Sequence, residues 1–237
     1  MKADIAVSPV VPRRFNWPRS KYLLFTFIGL MYAYVLWHNE SFLFNLKDSE
    51  WPHIESFKWI LLPHGLAAGC ALFLGPLQFS DRLRRRFTKL HRVLGRFYVA
   101  GVLVGAPIGN YIQNFEGVHM YPGDPDAHSL TLATVFDAGI WVFCTLMALA
   151  FILKGQVQQH RQWMTRSFAC ALIFIEVRVV SGVFNWDRFT EIIVWGCVAA
   201  AVPLADLVLY WQDLYRTRAS LAKPGRLERP GRATEAA

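Results

Sequence analysis

The chain of 237 residues is 54% hydrophobic and only 18% charged. A soluble domain usually carries about a quarter charged residues, so the composition excludes an ordinary soluble domain. The formal charge of +8 does not indicate nucleic-acid binding, because the basic residues cluster at the ends of apolar runs, as membrane topology requires. Those runs have the roughly 20-residue length of a bilayer span, which predicts an all-α, polytopic membrane protein.

Six apolar segments are predicted to span the membrane in chain order. Residues 1–21 form a basic tail, residues 22–210 the six-helix transmembrane domain and residues 211–237 a second basic tail. The predicted spans cover residues 22–38, 59–79, 93–113, 128–153, 167–184 and 191–210. The second to fifth spans are expected to form a central four-helix bundle.

The charges of the connecting segments predict the orientation of the chain. Nearly all of the 25 Lys and Arg residues fall in the two tails and in the connections on the same side of the membrane, while the acidic residues favour the other side. Because positively charged loops remain in the cytoplasm, both termini are predicted to be cytoplasmic.

Four of the seven histidines lie at alternating ends of consecutive spans. His64 and His128 lie near the outer ends of the second and fourth spans, and His91 and His160 near the inner ends of the third and fifth. Alternate helices of a four-helix bundle are diagonally opposed, and two facing imidazoles can provide both axial ligands of a haem iron. The pattern predicts haem b held by His64 with His128 and by His91 with His160. The other histidines are expected at the membrane interfaces: His38, His53 and His119.

Arg178 lies within the fifth span, where a charge usually faces a partner or a cavity because it is costly in the bilayer. It could pair with Asp137 of the fourth span, or it could bind an anionic group such as a haem propionate or a quinone headgroup. A stripe of small residues on the third span either lines a flat macrocycle or brings two helices close together. The stripe consists of Gly101, Gly105 and Gly109.

Three segments and Arg178 resemble a bacterial membrane-protein family of unknown function, family 2306. The segments are HGLAAGCALFLGPLQF (64–79), LHRVLGRFYV (90–99) and HRQWMTRSFA (160–169). The resemblance covers about His64 to Arg178 and implies a multi-span fold in the bacterial inner membrane, without an activity. In helix order the chain is also similar to the cytochrome b561 class, in which histidines on alternate helices of a four-helix core hold two haems. This likeness implies electron transfer, with a quinone or a redox protein as partner.

Two functions therefore remain open. The first is electron transfer by a b-type haem protein, and the second is a non-enzymatic accessory, assembly or scaffold subunit whose His-Arg junctions are structural. If His128 is not a ligand, a single inner haem or a quinone-like pocket lined by His64 and Arg178 would remain. The sequence contains no nucleophile, zinc, phosphate-loop or dinucleotide motif, and no inverted repeat with broken helices that would indicate a transporter.

Overall fold

The computed structural model describes residues 17–40, 45, 51–117, 127–186 and 189–221. The described part of the chain is almost entirely helical and contains no strand, which confirms the all-α prediction. The helices are α1 (Trp17–His38), α2 (Trp51–Ile54), α3 (Lys58–Gln78), α4 (Asp81–Arg86), α5 (Thr88–Tyr111), α6 (Ala127–Leu153), α7 (Val157–Phe184) and α8 (Thr190–Leu221). A π-helical turn, Ile112–Gly117, continues α5.

Five of the described helices are long and apolar enough to cross a membrane: α3, α5, α6, α7 and α8. They confirm the prediction of a multi-pass chain. Helix α1 has 22 residues, but its apolar stretch is interrupted by tyrosines and it is not among the five. The count of six spans therefore stays a prediction.

Several helices extend beyond the apolar runs that predicted them. Helix α7 begins at Val157 rather than at residue 167, and α8 continues to Leu221 rather than ending at residue 210. Lysine, arginine and glutamine are good helix formers, and long basic side chains can lie along a helix and still reach water. Hydropathy therefore marks the bilayer and not the ends of the helices. The predicted tails lie mostly outside the described residues.

Helices α3, α5, α6 and α7 pack as a closed ring. Helix α3 lies against α5, α5 against α6, α6 against α7, and α7 against α3. Helices α3 and α6 are thus opposed across the ring, and so are α5 and α7, which is the order expected for spans two to five. Outside the ring, α8 packs against α7 and α6, and α1 packs against α7.

Helices α3 and α5 approach each other along the predicted stripe of small residues. A Cβ atom added at Gly101 would lie 2.5 Å from the carbonyl oxygen of Ala67, and one at Gly105 would lie 3.1 Å from the backbone nitrogen of Ala68. The two backbones therefore touch, as small residues permit between membrane helices. This contact favours helix packing as the role of the stripe.

The two ends of the ring differ in charge. The connection from α3 through α4 to α5 and the start of α7 carry most of the described arginines, and we call this end the basic end. Lys21 of α1 reaches it too, where it donates to the carbonyl oxygen of Phe79 and pairs with Asp81. The opposite end, with the start of α3 and the end of α7, is called the distal end.

Candidate functional site

Helices α5 and α7 meet in the middle of the ring through Tyr98 and Ser167. The Tyr98 hydroxyl lies 2.8 Å from Ser167 Oγ, and both side chains are fully buried. His91 precedes Tyr98 by seven residues, and His160 precedes Ser167 by seven. Seven residues are close to two helical turns, or about 10 Å. The two histidines therefore lie on the facing sides of α5 and α7 at the basic end.

The neighbouring helix fixes the tautomer of His160. Its Nδ1 lies 2.8 Å from the carbonyl oxygen of Ala148 in α6. Because a carbonyl can only accept a hydrogen bond, Nδ1 carries the proton and Nε2 of the neutral ring keeps its lone pair. Histidines that bind metals commonly have this arrangement, in which a backbone carbonyl orients the ring.

Two polar atoms near this pair are buried without a protein hydrogen-bond partner. They are Nδ1 of His91 and Nε2 of Gln78, the last residue of α3. The side-chain oxygen of Gln78 lies 3.4 Å from the position of a Cβ added at Gly95, one turn from His91. Buried polar groups in proteins are nearly always hydrogen-bonded. Unused hydrogen-bonding capacity at two neighbouring groups therefore makes this end of the bundle a candidate for binding a polar ligand.

A buried chain of hydroxyl groups separates the histidine pair from the distal half of the ring. Besides Tyr98, Ser167 contacts Thr145 Oγ1 at 2.7 Å, and Thr145 donates to the carbonyl oxygen of Trp141 at 2.8 Å. Each hydroxyl has one proton to donate, so Tyr98 donates to Ser167 and Ser167 donates to Thr145. These contacts tie α5, α7 and α6 together in one layer.

The predicted pair at the distal end is placed differently. His64 Nδ1 lies 2.9 Å from the carbonyl oxygen of Gly105. The His64 ring also packs against Gly109, in the space that a side chain at that position would need. Its ring thus lies in the α3–α5 interface, while His128 is exposed at the second residue of α6. The structure brings His91 and His160 onto facing helices and does not assemble His64 and His128 in the same way.

Arg178 is paired, but not with Asp137. Its Nε atom lies 3.1 Å from Glu40 Oε1, and its guanidinium lies 3.9 Å from the ring centroid of Phe174. One carboxylate oxygen of Asp137 is buried without a partner among the described protein groups. Glu40 lies two residues after the end of α1, and nothing in the sequence around it indicates a contact with the end of α7. Arg178 therefore does form an ion pair within the protein, but its partner is Glu40 and not Asp137.

A family model described as "Predicted membrane protein (DUF2306)" matches residues 61–209. The chain belongs to this family. The match runs from the first turn of α3 into α8, so it covers nearly all of the ring and confirms the resemblance seen in the sequence. No curated protein matches the chain, and no solved structure matches it. The likeness of this DUF2306 chain to cytochrome b561 stays a hypothesis.

The described residues contain no group of three or more His, Cys, Asp or Glu side chains placed to hold a metal ion. A haem iron with two axial histidines needs only two protein ligands. In this DUF2306 chain two histidines at the basic end each keep a ring nitrogen without a protein hydrogen-bond partner, Nδ1 of His91 and Nε2 of His160. At the distal end His64 makes the same kind of bond through Nδ1, but its ring is packed against Gly109 of α5 and His128 is exposed.

We expect Glu40→Gln to lower the free energy of unfolding by about 1 kcal/mol. The reason is that Arg178 would stay near the end of a span without an acidic partner. Partly exposed ion pairs contribute up to about 1 kcal/mol to stability. Thermal unfolding in detergent measures the effect. Glu55→Gln is the matched control, since it removes an exposed acid that pairs only with nearby Lys58. Equal stability of the two variants would contradict a structural role for the Arg178 pair.

Proposed function

We propose that this membrane protein carries electrons through one haem b held at the basic end of the ring by His91 and His160. The proposal is carried by one observation: the two imidazoles lie on facing sides of opposed helices, and each has a ring nitrogen available. A haem bound there would supply one-electron oxidation and reduction. A quinone or a redox protein would be the electron partner.

The surrounding residues of the chain have distinct roles in this proposal. The Ala148 carbonyl orients His160 and makes its Nε2 a better ligand. The free amide of Gln78 can donate a hydrogen bond to an anionic group of the ligand. The hydroxyl layer of Tyr98, Ser167 and Thr145 closes the site towards the distal half, and restricted solvent access is one of the factors that set a redox potential.

The proposed topology places the basic end in the cytoplasm of a bacterium, since basic connections remain inside. Helix α1 would then be the sixth span, and both termini would be cytoplasmic. Under this orientation His91 and His160 would hold a haem near the inner face of the inner membrane.

An absorption spectrum of the full chain, purified after expression with ample haem, tests the proposal. We expect a Soret band that shifts on reduction with dithionite, and its loss in His91→Ala and in His160→Ala. The matched control is His38→Ala, which removes an exposed histidine at the distal end of α1 and should leave the spectrum unchanged. A colourless wild-type protein would overturn the proposal, and so would a full spectrum in His91→Ala.

The same spectra distinguish one haem from two. A second haem between His64 and His128 would require the His64 ring to leave its position against Gly105 and Gly109. We therefore expect His128→Ala to retain the wild-type ratio of haem to protein. A ratio reduced to about half would instead support the two-haem arrangement that the sequence predicts.

A scaffold or accessory subunit is the second candidate function. It is favoured by the bonds from His64 to the Gly105 carbonyl and from His160 to the Ala148 carbonyl, each of which joins two neighbouring helices. This function predicts that His160→Ala lowers the unfolding temperature although the wild-type protein has no visible absorption band.

A further inference from the structure

Asp137 lies on the buried face of α6. Residues three, four, seven or eleven positions apart share one face of a helix. Four residues at such positions from Asp137 belong to the protein core, namely Ala133, Trp141, Cys144 and Ala148. The carbonyl oxygen of Ala148 contacts His160 of α7, so this face of α6 packs against α7. Asp137 is therefore placed between two helices rather than towards lipid.

Asp137 also lies deep along its helix. It is ten residues from Ala127, where α6 begins, or about 15 Å along the helix axis. The hydrocarbon core of a bilayer is about 30 Å thick, so the carboxyl group lies far from either aqueous phase. An ionised side chain at this depth is costly unless a partner or a cavity stabilises it.

The described part of the chain gives Asp137 no basic partner. Arg178, in the same half of the ring, lies 3.1 Å from Glu40. Arg166, the preceding basic residue of α7, lies 2.7 Å from Asp206 of α8. Oδ1 of Asp137 is itself buried and has no hydrogen-bond donor among the described groups. Its stabilisation therefore has to come from something other than an ion pair.

Helix α7 places no charge opposite Asp137. Thr145 contacts Ser167, and Asp137 lies eight residues before Thr145. Because α6 and α7 are antiparallel, the level opposite Asp137 is about eight residues after Ser167. Glu176 is close to that level, but it lies two and a half turns from Ser167 and thus on the far side of α7. The other titratable groups of this interface are two buried thiols, Cys144 and Cys170.

The other helices packed against α6 also bring no charge to this level. Tyr98 of α5 contacts Ser167, and residues 103–109, which lie around eight residues further along α5, are all uncharged. Trp195 of α8 donates to Ser129 Oγ at 3.0 Å. Asp137 is eight residues beyond Ser129, and the corresponding residues 199–205 of α8 are uncharged as well.

These surroundings suit a proton better than a metal ion. A hard cation such as Ca²⁺ or Mg²⁺ takes about six or more oxygen ligands. The nearest buried hydroxyl of α6 without a partner, that of Thr131, lies six residues from Asp137, or about 9 Å along the axis. A proton needs only one oxygen. An acid without a partner is accommodated in apolar surroundings as the uncharged carboxylic acid.

Two further buried groups lie between Asp137 and the distal end. Thr131 is fourteen residues before Thr145, and Ser181 is fourteen residues after Ser167, so both lie about 21 Å from the hydroxyl layer and on nearly the same faces. Each hydroxyl oxygen is buried without a partner among the described groups. Buried hydroxyls are commonly hydrogen-bonded to ordered water when the protein offers no partner.

We propose that Asp137 is a proton-binding site inside the bundle, which exchanges its proton with the aqueous phase at the distal end through water held at Thr131 and Ser181. On binding, the Asp137 carboxylate takes a proton from water and becomes a carboxylic acid, and on release it returns that proton to water. No other bond forms or breaks. The site depends neither on a haem nor on electron transfer.

Infrared spectroscopy of the full chain in detergent tests the site, because the C=O stretch of a carboxylic acid is separate from the bands of a carboxylate. We expect an acid band in the wild type at neutral pH and its loss in Asp137→Asn, which has the shape of the uncharged acid and should fold normally. The matched control is Asp206→Asn, which removes an acid that is paired with Arg166 and should leave the band unchanged. A wild type without the band, or a full band in Asp137→Asn, would overturn the proposal.

Transfer to heavy water tests the route. We expect the acid band to shift as O–H is replaced by O–D, and the shift to be slower when Thr131 and Ser181 are both replaced by alanine. Thr165→Ala is the control, because its hydroxyl bonds within α7 on the other side of the layer and the rate should not change. A band that never shifts, equal rates in the double variant and the wild type, or equal slowing in Thr165→Ala would contradict exchange by this route.

Discussion

Gly101→Ala is expected to be the most damaging small substitution in the ring. The new Cβ would lie 2.5 Å from the carbonyl oxygen of Ala67, and a backbone atom cannot move aside as a flexible side chain can. Helices α3 and α5 would have to separate, which also weakens the bond from His64 to the Gly105 carbonyl. We expect a loss of about 2 kcal/mol in the free energy of unfolding, within the usual cost of overpacking a core.

Unfolding in detergent, followed by circular dichroism, measures this loss. The matched control is Gly139→Ala in α6, where nothing lies within 4 Å of the new Cβ. That variant should be as stable as the wild type or gain up to about 1 kcal/mol, since alanine favours a helix more than glycine does. If both variants behave alike, the close approach of α3 and α5 is not important for stability.

Ser167→Ala is expected to have the second-largest effect. Ser167 accepts from Tyr98 and donates to Thr145, so its removal leaves two fully buried hydroxyls with one fewer partner each. We expect the free energy of unfolding to fall by about 1–2 kcal/mol, the range for buried hydrogen bonds in proteins and between membrane helices. Tyr98→Phe should cost less, because Ser167 would still donate to Thr145.

A double-mutant cycle of Ser167→Ala and Tyr98→Phe isolates the contact between α5 and α7. The control is Thr165→Ala on the same helix, whose hydroxyl donates to the carbonyl of Arg161 within α7 and should cost less than about 0.5 kcal/mol. A coupling energy near zero, or a Ser167→Ala effect no larger than that of Thr165→Ala, would show that the hydroxyl layer does not hold the helices together.

The sequence predicted the features that depend on local composition. Apolar runs identified the spanning helices, and the order of those helices predicted that His91 and His160 would lie on opposed members of a ring. The contacts that distinguish the site depend on residues far apart in the chain. Glu40 beside Arg178 and the Tyr98–Ser167 contact each join helices whose packing angle no pattern specifies.

The role of Gln78 could not be predicted from the sequence either, because it also depends on packing between helices. A glutamine at the end of an apolar run is common, and only the close packing of Gly95 against it shows that its amide is buried. The placement of His64 shows the opposite case. Its position near one end of a span suggested a metal ligand, whereas the glycine stripe of α5 provides both the space and the carbonyl that hold its ring.

The direction of the hydrogen bonds in the hydroxyl layer also has a consequence for proton transfer. Its hydrogen bonds all run in one direction, from Tyr98 through Ser167 and Thr145 to the carbonyl oxygen of Trp141. A carbonyl has no proton to donate, so the hydrogen-bonded chain of hydroxyls ends at this oxygen. The layer therefore fastens α5, α7 and α6 together without offering a route by which a proton could pass beyond the Trp141 carbonyl.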